Sequence, residues 1–508
     1  MALRVPGSAR GLWAQRRNGT VAAMPQLAPS TNDMLTDEEF ERQRVEVFAQ
    51  HPATPVVDLD EAFDFCRREM SHRNIPAALA EAKAEGRTLV QPRAGVANLV
   101  GQRNLCQALE DAGADILPFT VDSMTRTLRF EHASRATLDS TPTRSLLNGY
   151  PIVHHGVQTT REVVLERERP VHLRGNSTDL RLVAEIGFAA GMSGFVSGPV
   201  YSTVQYSKDT PLAESISNWQ YCYRLMGRYT EAGIPIVDDA LGLTQSATCS
   251  VPALMHAGVV LEALIMAGQG VKHINAYAIS QGTLAQDIAA LFAVEQLTNE
   301  YLARLGFDDV SVYMTSNHWA AAFPPDEAAA FGLISTNTMV AAMARASLLY
   351  VKSIEEGFGV PTAEGNAASV RATRYVLHLL AGQDFGVGSD DVEFERELNV
   401  LQARAILDAA LDLGDGDPVQ ATIRAFEAGV LDEPAAPSRV AHGDILVVRD
   451  DGGAVRFLDY GNVPIPDEAR RMERERLTAR AARKGAPLGY DDIVGDINHL
   501  TGAAVLGR

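Results

Sequence analysis

The chain has 508 residues, 46% apolar and 21% charged, ample for a large core and too rich for disorder; since roughly 250 residues fill one α/β barrel, terminal additions are expected. With 64 acidic against 45 basic residues the net charge is −19, which repels phosphate backbones and anionic membranes and excludes nucleic acid as a partner. Cys66, Cys106, Cys222 and Cys249 show no CxxC spacing, which suits the reduced thiols of a cytosolic protein, and the apolar run Val259–Ala267 is too short to span a membrane and contains Glu262.

Residues 1–33 hold Arg4, Arg10, Arg16 and Arg17 and no acid before Asp33. Such a start fits an organelle transit peptide or a disordered tail; the tail, over 1–34, is the favoured reading, with Met24 or Met34 as alternative starts. Thr36-Asp37-Glu38-Glu39 then opens a helical segment, 35–87, with a threonine cap and acids in the first turn. Pro76–Ala84, within it, is helical and delivers the chain to the first strand.

That strand, in Thr88–Val96, ends on Arg93, with Gly95 two residues on. Ile116–Val121 leads to Arg126, and Val171–Leu173 runs straight into Arg174. Further strand candidates are Ile152–His155, Gly194–Val200, Ile234–Asp238, His273–Ala278, Val310–Met314 and Leu348–Lys352. Helical periodicity lies between many of them, as in Asp179–Ala190, Pro252–Ala267 and Leu284–Leu305. The alternation predicts an α/β fold, a (β/α)8 TIM-type barrel over 88–361. Nine candidates for eight staves mean that at least one lies outside the barrel.

Residues 362–508 form a C-terminal α+β wrap-around region. It is helical as far as Leu413, breaks at Gly414–Pro418, and shows a hairpin, Ile445–Val448 and Val455–Leu458, around Asp450-Asp451-Gly452-Gly453. A highly charged helix follows over Asp467–Arg483. Nothing in this region carries a catalytic pattern.

Arginine stays charged at any working pH and grips carboxylates bidentately, so Arg93, Arg126 and Arg174 on neighbouring strand ends suit a small di-acid. The competing reading pairs each with an acid at the barrel rim. His154-His155 and Asp238-Asp239 could ligate a metal in a barrel lyase, but neighbours on a strand face opposite ways, and structural histidines fit better. Lys352 ends a β run as a Schiff-base lysine could; the following Glu355 and Glu356 favour an ordinary amine. No HExxH, GxSxG, P-loop or GxGxxG stands in a convincing context, which points to chemistry done by a cofactor.

Longer stretches carry a resemblance: QPRAGVA from Gln91, TVDSMTR from Thr120, SLLNGYP from Ser145, NWQYCYRLMG from Asn218, QDIAAL from Gln286, QLTNEYL from Gln296, FPPDEAAAFG from Phe323 and GNVP from Gly461. From about Leu35 to Arg508 the chain resembles the large (epsilon, E) subunit of adenosylcobalamin-dependent glutamate mutase, also called methylaspartate mutase. The resemblance implies an isomerase whose barrel holds a di-acid beneath cobalamin and rearranges L-glutamate to 3-methylaspartate by a radical route. It implies a cytoplasmic heterotetramer, in which a homodimer of this chain works with a small cobalamin-carrying subunit. That subunit's Asp-x-His-x-x-Gly motif is absent here; Asp496-Ile497-Asn498-His499 has one residue too many.

By the same resemblance Arg93, Arg126 and Arg174 hold the substrate carboxylates. Gly95, Asn148, Gln205, Phe323, Lys352, Glu356 and Val360 contact the cofactor, with Lys352 and Glu356 on the ribose hydroxyls. The substrate's amino group is where the chain departs: the family's glutamate is Val196, its first substrate tyrosine is Ser202, with Tyr201 one place off, and its histidine after the third arginine is Gly175. Tyr206 keeps the second tyrosine. These departures imply an altered substrate, or a non-catalytic relative that binds a di-acid or the cobalamin chain.

Overall fold

Eight short strands are laid down along the chain, each followed by at least one helix: β1 Leu89–Pro92, β2 Leu117–Thr120, β3 Val171–Arg174, β4 Gly194–Val196, β5 Val237–Ala240, β6 His273–Ile279, β7 Ser311–Asn317 and β8 Leu348–Val351. The structure is a computed structural model and describes residues 31–243 and 248–502. All strand pairs are parallel, in the order β1-β8-β7-β6-β5-β4-β3-β2. Parallel neighbours require a crossover, and the helices between them supply it, giving the expected (β/α)8 barrel.

The ring closes between β1 and β2 through backbone bonds outside the ladder. Asp115 N donates to Val90 O at 2.9 Å, and Thr120 N donates to Ala94 O at 3.0 Å. This seam has no room for side chains. A Cβ on Gly95 would stand 2.5 Å from Thr120 O, and one on Gly149 2.4 Å from the same oxygen.

Ile152–His155, one of the nine strand candidates, is not a stave. It begins the helix Ile152–Leu165, which is kinked at Gly156, where φ is 69° and ψ −178°. A short apolar run after a proline has no period long enough to separate strand from helix, and here a helix fills the space between β2 and β3. Gly194–Val200 is strand only as far as Val196, because Pro199 starts the helix Pro199–Tyr206.

Inside the barrel the register sets which side chains meet. Thr120 pairs with Arg174, Arg174 with Val196, and Asp239 with Asn275, so these positions share the inner face. Below them His172 Nδ1 lies 2.8 Å from Gln91 Oε1. The helix Pro252–Gly268 is buried almost all round because Leu284–Arg304, Asp390–Leu413 and Pro418–Ala428 pack over it. Its apolar sequence follows from that double cover.

The C-terminal region carries the expected hairpin, β9 Leu446–Arg449 and β10 Val455–Asp459, and the charged helix Asp467–Lys484. Arg456, buried on β10, is held by Glu395 and, at 2.9 Å, by Asp450. At the other end, Thr36 is the expected N-cap and also forms a capping box with Glu39. Of the expected tail, residues 1–30 lie outside the described residues. Asn32, near its end, bonds to Asp417 Oδ2 at 2.7 Å through its backbone N–H and to Leu264 O at 2.9 Å through its side chain. All four cysteines are free and buried. No helix among the described residues is long and apolar enough to cross a membrane.

Candidate functional site

The C-terminal mouth of the barrel gathers the three arginines. Arg93 follows β1 directly, and Arg174 is the last residue of β3. Arg126 ends the turn Ser123–Arg126, which Asp122 caps by accepting from Met124 N at 2.8 Å and Thr125 N at 3.0 Å. Burial pulls the Arg126 guanidinium below its ordinary range, and the nearby Arg174 and Arg93 push the same way. Three cations are thus held close together in a poorly solvated place.

Their partners are few. The Arg174 guanidinium lies over the Tyr350 ring, 5.3 Å from its centroid, and its Nη1 is buried without a hydrogen-bond partner. Arg126 Nη1 donates to Asn176 O at 3.4 Å, while its Nε is buried and unpartnered. Among the described residues Arg93 alone of the three makes an ion pair, with Nη1 3.8 Å from Glu356 Oε1, while Asp122 acts on Arg126 from farther off. Buried donors without acceptors are costly, so an arrangement that leaves them open fits an anion that arrives later.

Beneath Arg174 a hydrogen-bonded floor fixes the ring it rests on. Tyr350 OH donates to Asp239 Oδ2 at 2.7 Å, and Asn275 Nδ2 donates to Asp239 Oδ1 at 2.6 Å. Burial raises Asp239 to about 7, against the lowering effect of these two donors and Arg174. Tyr277 faces the same space; burial lifts it to about 12 although Arg174 and Arg93 pull it down.

Lys352 and Glu356 stand together after β8, with Nζ 3.1 Å from Oε1. Burial brings the lysine down to about 8, Glu356 opposing and Arg93 assisting. Burial would raise Glu356, but Lys352, Arg93 and Arg174 outweigh it and hold the carboxyl at about 2. Lys352 is therefore no free amine; it is 4% exposed, lies 5.3 Å from the Phe323 ring centroid, and donates its backbone N–H to His318 Nδ1 at 3.1 Å. Burial keeps His318 neutral, at about 3.

The loops after β4 and β5 are tied together from behind by Glu262. Its Oε1 accepts from Val200 N at 2.9 Å and Tyr201 N at 3.3 Å, and its Oε2 from Leu241 N at 2.8 Å and Gly242 N at 2.7 Å. Tyr201 OH lies 3.4 Å from Tyr206 OH, and Tyr206 is half exposed. Val196 and Ser202 are fully buried, and Ser202 Oγ lies 3.2 Å from Ser197 Oγ. Gly175 sits under Arg126, whose Cδ would touch a Cβ placed there at 3.4 Å.

Other residues singled out in the sequence have structural occupations. Gly95 is required by the β1–β2 seam whatever else it contacts. Asn148 Oδ1 accepts from Ser123 N at 2.9 Å, and the Gln205 amide nitrogen is bonded to Glu433. Val360 is exposed beside exposed Phe358. His155 Nε2 lies 2.9 Å from Ala97 O, with its ring stacked on Tyr150. Asp238, pushed well above the carboxylate range by burial and by Asp239, accepts from Asp239 N at 2.8 Å. No group of three His, Cys, Asp or Glu residues suited to a metal occurs among the described residues.

Tyr350, Tyr277, His318 and Glu262 escaped the sequence reading. The strand residues among them carry a faint signal, an alternation of polar and aromatic residues at Asn275 and Tyr277 that marks an inward face. Glu262 carries a plainer one, a lone acid in an apolar helix.

The family model described as "Methylaspartate mutase E chain (MutE)" matches residues 70–508. The glutamate mutase epsilon subunit of Desulfitobacterium hafniense (strain Y51) is 38% identical over 480 residues, covering 94% of this chain and 99% of that protein. That of Escherichia coli O157:H7 is 36% identical, covering 94% and 99%. That of Halobacterium salinarum is 38% identical over 476 residues, covering 93% and 98%.

Proposed function

The chain belongs to the methylaspartate mutase E chain family, and from that premise we propose that it is the large subunit of an adenosylcobalamin-dependent carbon-skeleton isomerase whose substrate is a small dicarboxylic acid. One observation carries the substrate class: Arg126 and Arg174 bring buried, unpartnered guanidinium nitrogens to one mouth, beside Arg93. Carboxylates answer that geometry bidentately, and two of them discharge the cluster.

The residues present suit the cofactor. Lys352 and Glu356 offer a donor and an acceptor a hydrogen bond apart, 4% and 27% exposed, which matches the paired hydroxyls of a ribose. Phe323 adds a flat apolar face next to them. Adenosylcobalamin, when bound, supplies the hydrogen-abstracting carbon radical by homolysis of its cobalt–carbon bond. The arginines hold the substrate skeleton at both ends while a fragment migrates, which keeps the migrating pieces within reach of each other. The buried barrel walls and the loops fastened by Glu262 keep water from the reacting centre. A small cobalamin-carrying subunit completes the enzyme, on a homodimer of this chain.

Mixing the full chain with a cobalamin-loaded small subunit and a panel of dicarboxylates tests this. An electron paramagnetic resonance signal that appears only with a dicarboxylate supports the mutase. A formed complex that stays silent with every dicarboxylate makes the chain a non-catalytic relative.

A further inference from the structure

The mouth is divided by the order of the strands. Lys352 after β8, Arg93 after β1, Arg126 after β2 and Arg174 on β3 occupy one continuous arc. The arc from β4 through β7 presents Val196 and Tyr277, with Ser197 and Ser202 behind, and none of its strands ends on or runs directly into an arginine or lysine. A dicarboxylate gripped by the first arc turns its remaining substituent toward the second.

Among the described residues, the carboxylates near the second arc are already engaged, Asp287 by Ser280 and the backbone of Gln281 and Gly282, and Glu433 by Gln205. Val196, next in register to Arg174, is fully buried and apolar. The hydroxyls of Ser197 and Ser202 face each other at 3.2 Å, both fully buried. Asp239 has both oxygens engaged, by Asn275 and by Tyr350. Glu262 has both oxygens engaged by four backbone N–H groups behind the loops. Asp238 faces the other side of its strand from Asp239. The stretch 244–247, outside the described residues, reads Thr-Gln-Ser-Ala and contains no acid. On the first arc, Glu356 is taken by Lys352 and Arg93, and Asp122, whose Oδ1 caps the turn and whose Oδ2 is buried without a hydrogen-bond partner, acts on the Arg126 guanidinium.

We propose that the substrate is a small dicarboxylate whose remaining substituent is uncharged, and that the β4 wall formed by Val196, Ser197 and Ser202 selects against an ammonium group. This deepens the proposed function and rests on its reading of the arginines as a carboxylate clamp. An ammonium brought to this wall would leave its solvation and gain no carboxylate in exchange, within reach of four cations.

The test is calorimetric titration of the full chain with glutarate, 2-methylglutarate, L-glutamate and butyrate. Glutarate and 2-methylglutarate should bind about a hundredfold more tightly than L-glutamate, and butyrate weakly. Val196→Glu should raise the affinity for L-glutamate relative to glutarate at least tenfold, to the order expected of a new buried ion pair. Ser202→Asp should shift the same ratio in the same direction if Val196→Glu does not fold. L-Glutamate binding as tightly as glutarate to the unaltered chain overturns this proposal and leaves the clamp standing. Binding of no dicarboxylate at millimolar concentration removes the clamp itself, and the proposal with it.

Discussion

Lys352 Nζ stands 3.1 Å from Glu356 Oε1, and Arg93 Nη1 approaches the same oxygen at 3.8 Å, so one carboxylate serves two cations at the mouth of the barrel. Because these cations overcome burial, Glu356 is held at about 2, below its ordinary value of 4.5. The folded chain therefore binds fewer protons at this site than the unfolded chain. Its contribution to stability is present above pH 4.5 and is lost as pH falls toward 2. In urea unfolding, the stability difference between the unaltered chain and Glu356→Gln should shrink across that window.

Arg126 and Arg174 should lower the stability of the free chain while making it bind. Replacing Arg126 by Gln, or Arg174 by Met, removes a buried charge with no acidic partner among its hydrogen bonds and should stabilise the unliganded chain by about 1 kcal/mol. The same changes should weaken glutarate binding by about 2–5 kcal/mol, the usual loss for one member of a buried charged pair. Calorimetric melting and titration of the same samples check both signs.

Arg174→Lys separates charge from shape. The guanidinium rests on the Tyr350 ring and presents a planar fork, which an ammonium cannot reproduce. Glutarate affinity should fall about tenfold although the charge is kept. Tyr350→Leu, which removes the ring, should lower it by a similar factor, and Tyr350→Phe by less.

Gly95→Ala separates a structural from a ligand-binding role. The added Cβ would stand 2.5 Å from the backbone oxygen of Thr120, so the β1–β2 seam has to open. The change should cost about 2–4 kcal/mol in unfolding free energy, as overpacking against a rigid backbone does. Faster amide hydrogen exchange at Thr120 would be the local readout, since its N–H bonds to Ala94 O across the seam.

Glu262→Gln keeps the shape but turns an amide NH2 toward two backbone N–H donors. The change should cost about 3 kcal/mol, because two of the four buried donors, either Val200 and Tyr201 or Leu241 and Gly242, lose their acceptor. Amide exchange at the pair that loses its acceptor should rise ahead of exchange in β3, which Glu262 does not touch.

Much of the barrel was legible because short β-rich runs and helical stretches alternate along the chain, and alternation of that kind has few foldings. Ile152–His155 misled for the same reason. Four apolar and aromatic residues after a proline carry no period, and only their place between β2 and β3 makes them helical. The three arginines were legible because each ends a strand or follows one closely. Glu262 was passed over as a charge that merely argued against a membrane span, and its four backbone bonds come from loops some 20 and 60 residues away in the chain.

The order of residue types by itself determined an α/β barrel with a helical lead and a C-terminal addition, and it marked the guanidinium groups at successive strand ends. The tertiary structure alone decided which of those groups form ion pairs, which carboxylates are already engaged, and that buried Val196 stands in register with Arg174. Strand period and turn chemistry are local and can be read along the chain. Whether a charge is satisfied depends on residues far apart in sequence, brought within about 3 Å only by the closing of the ring.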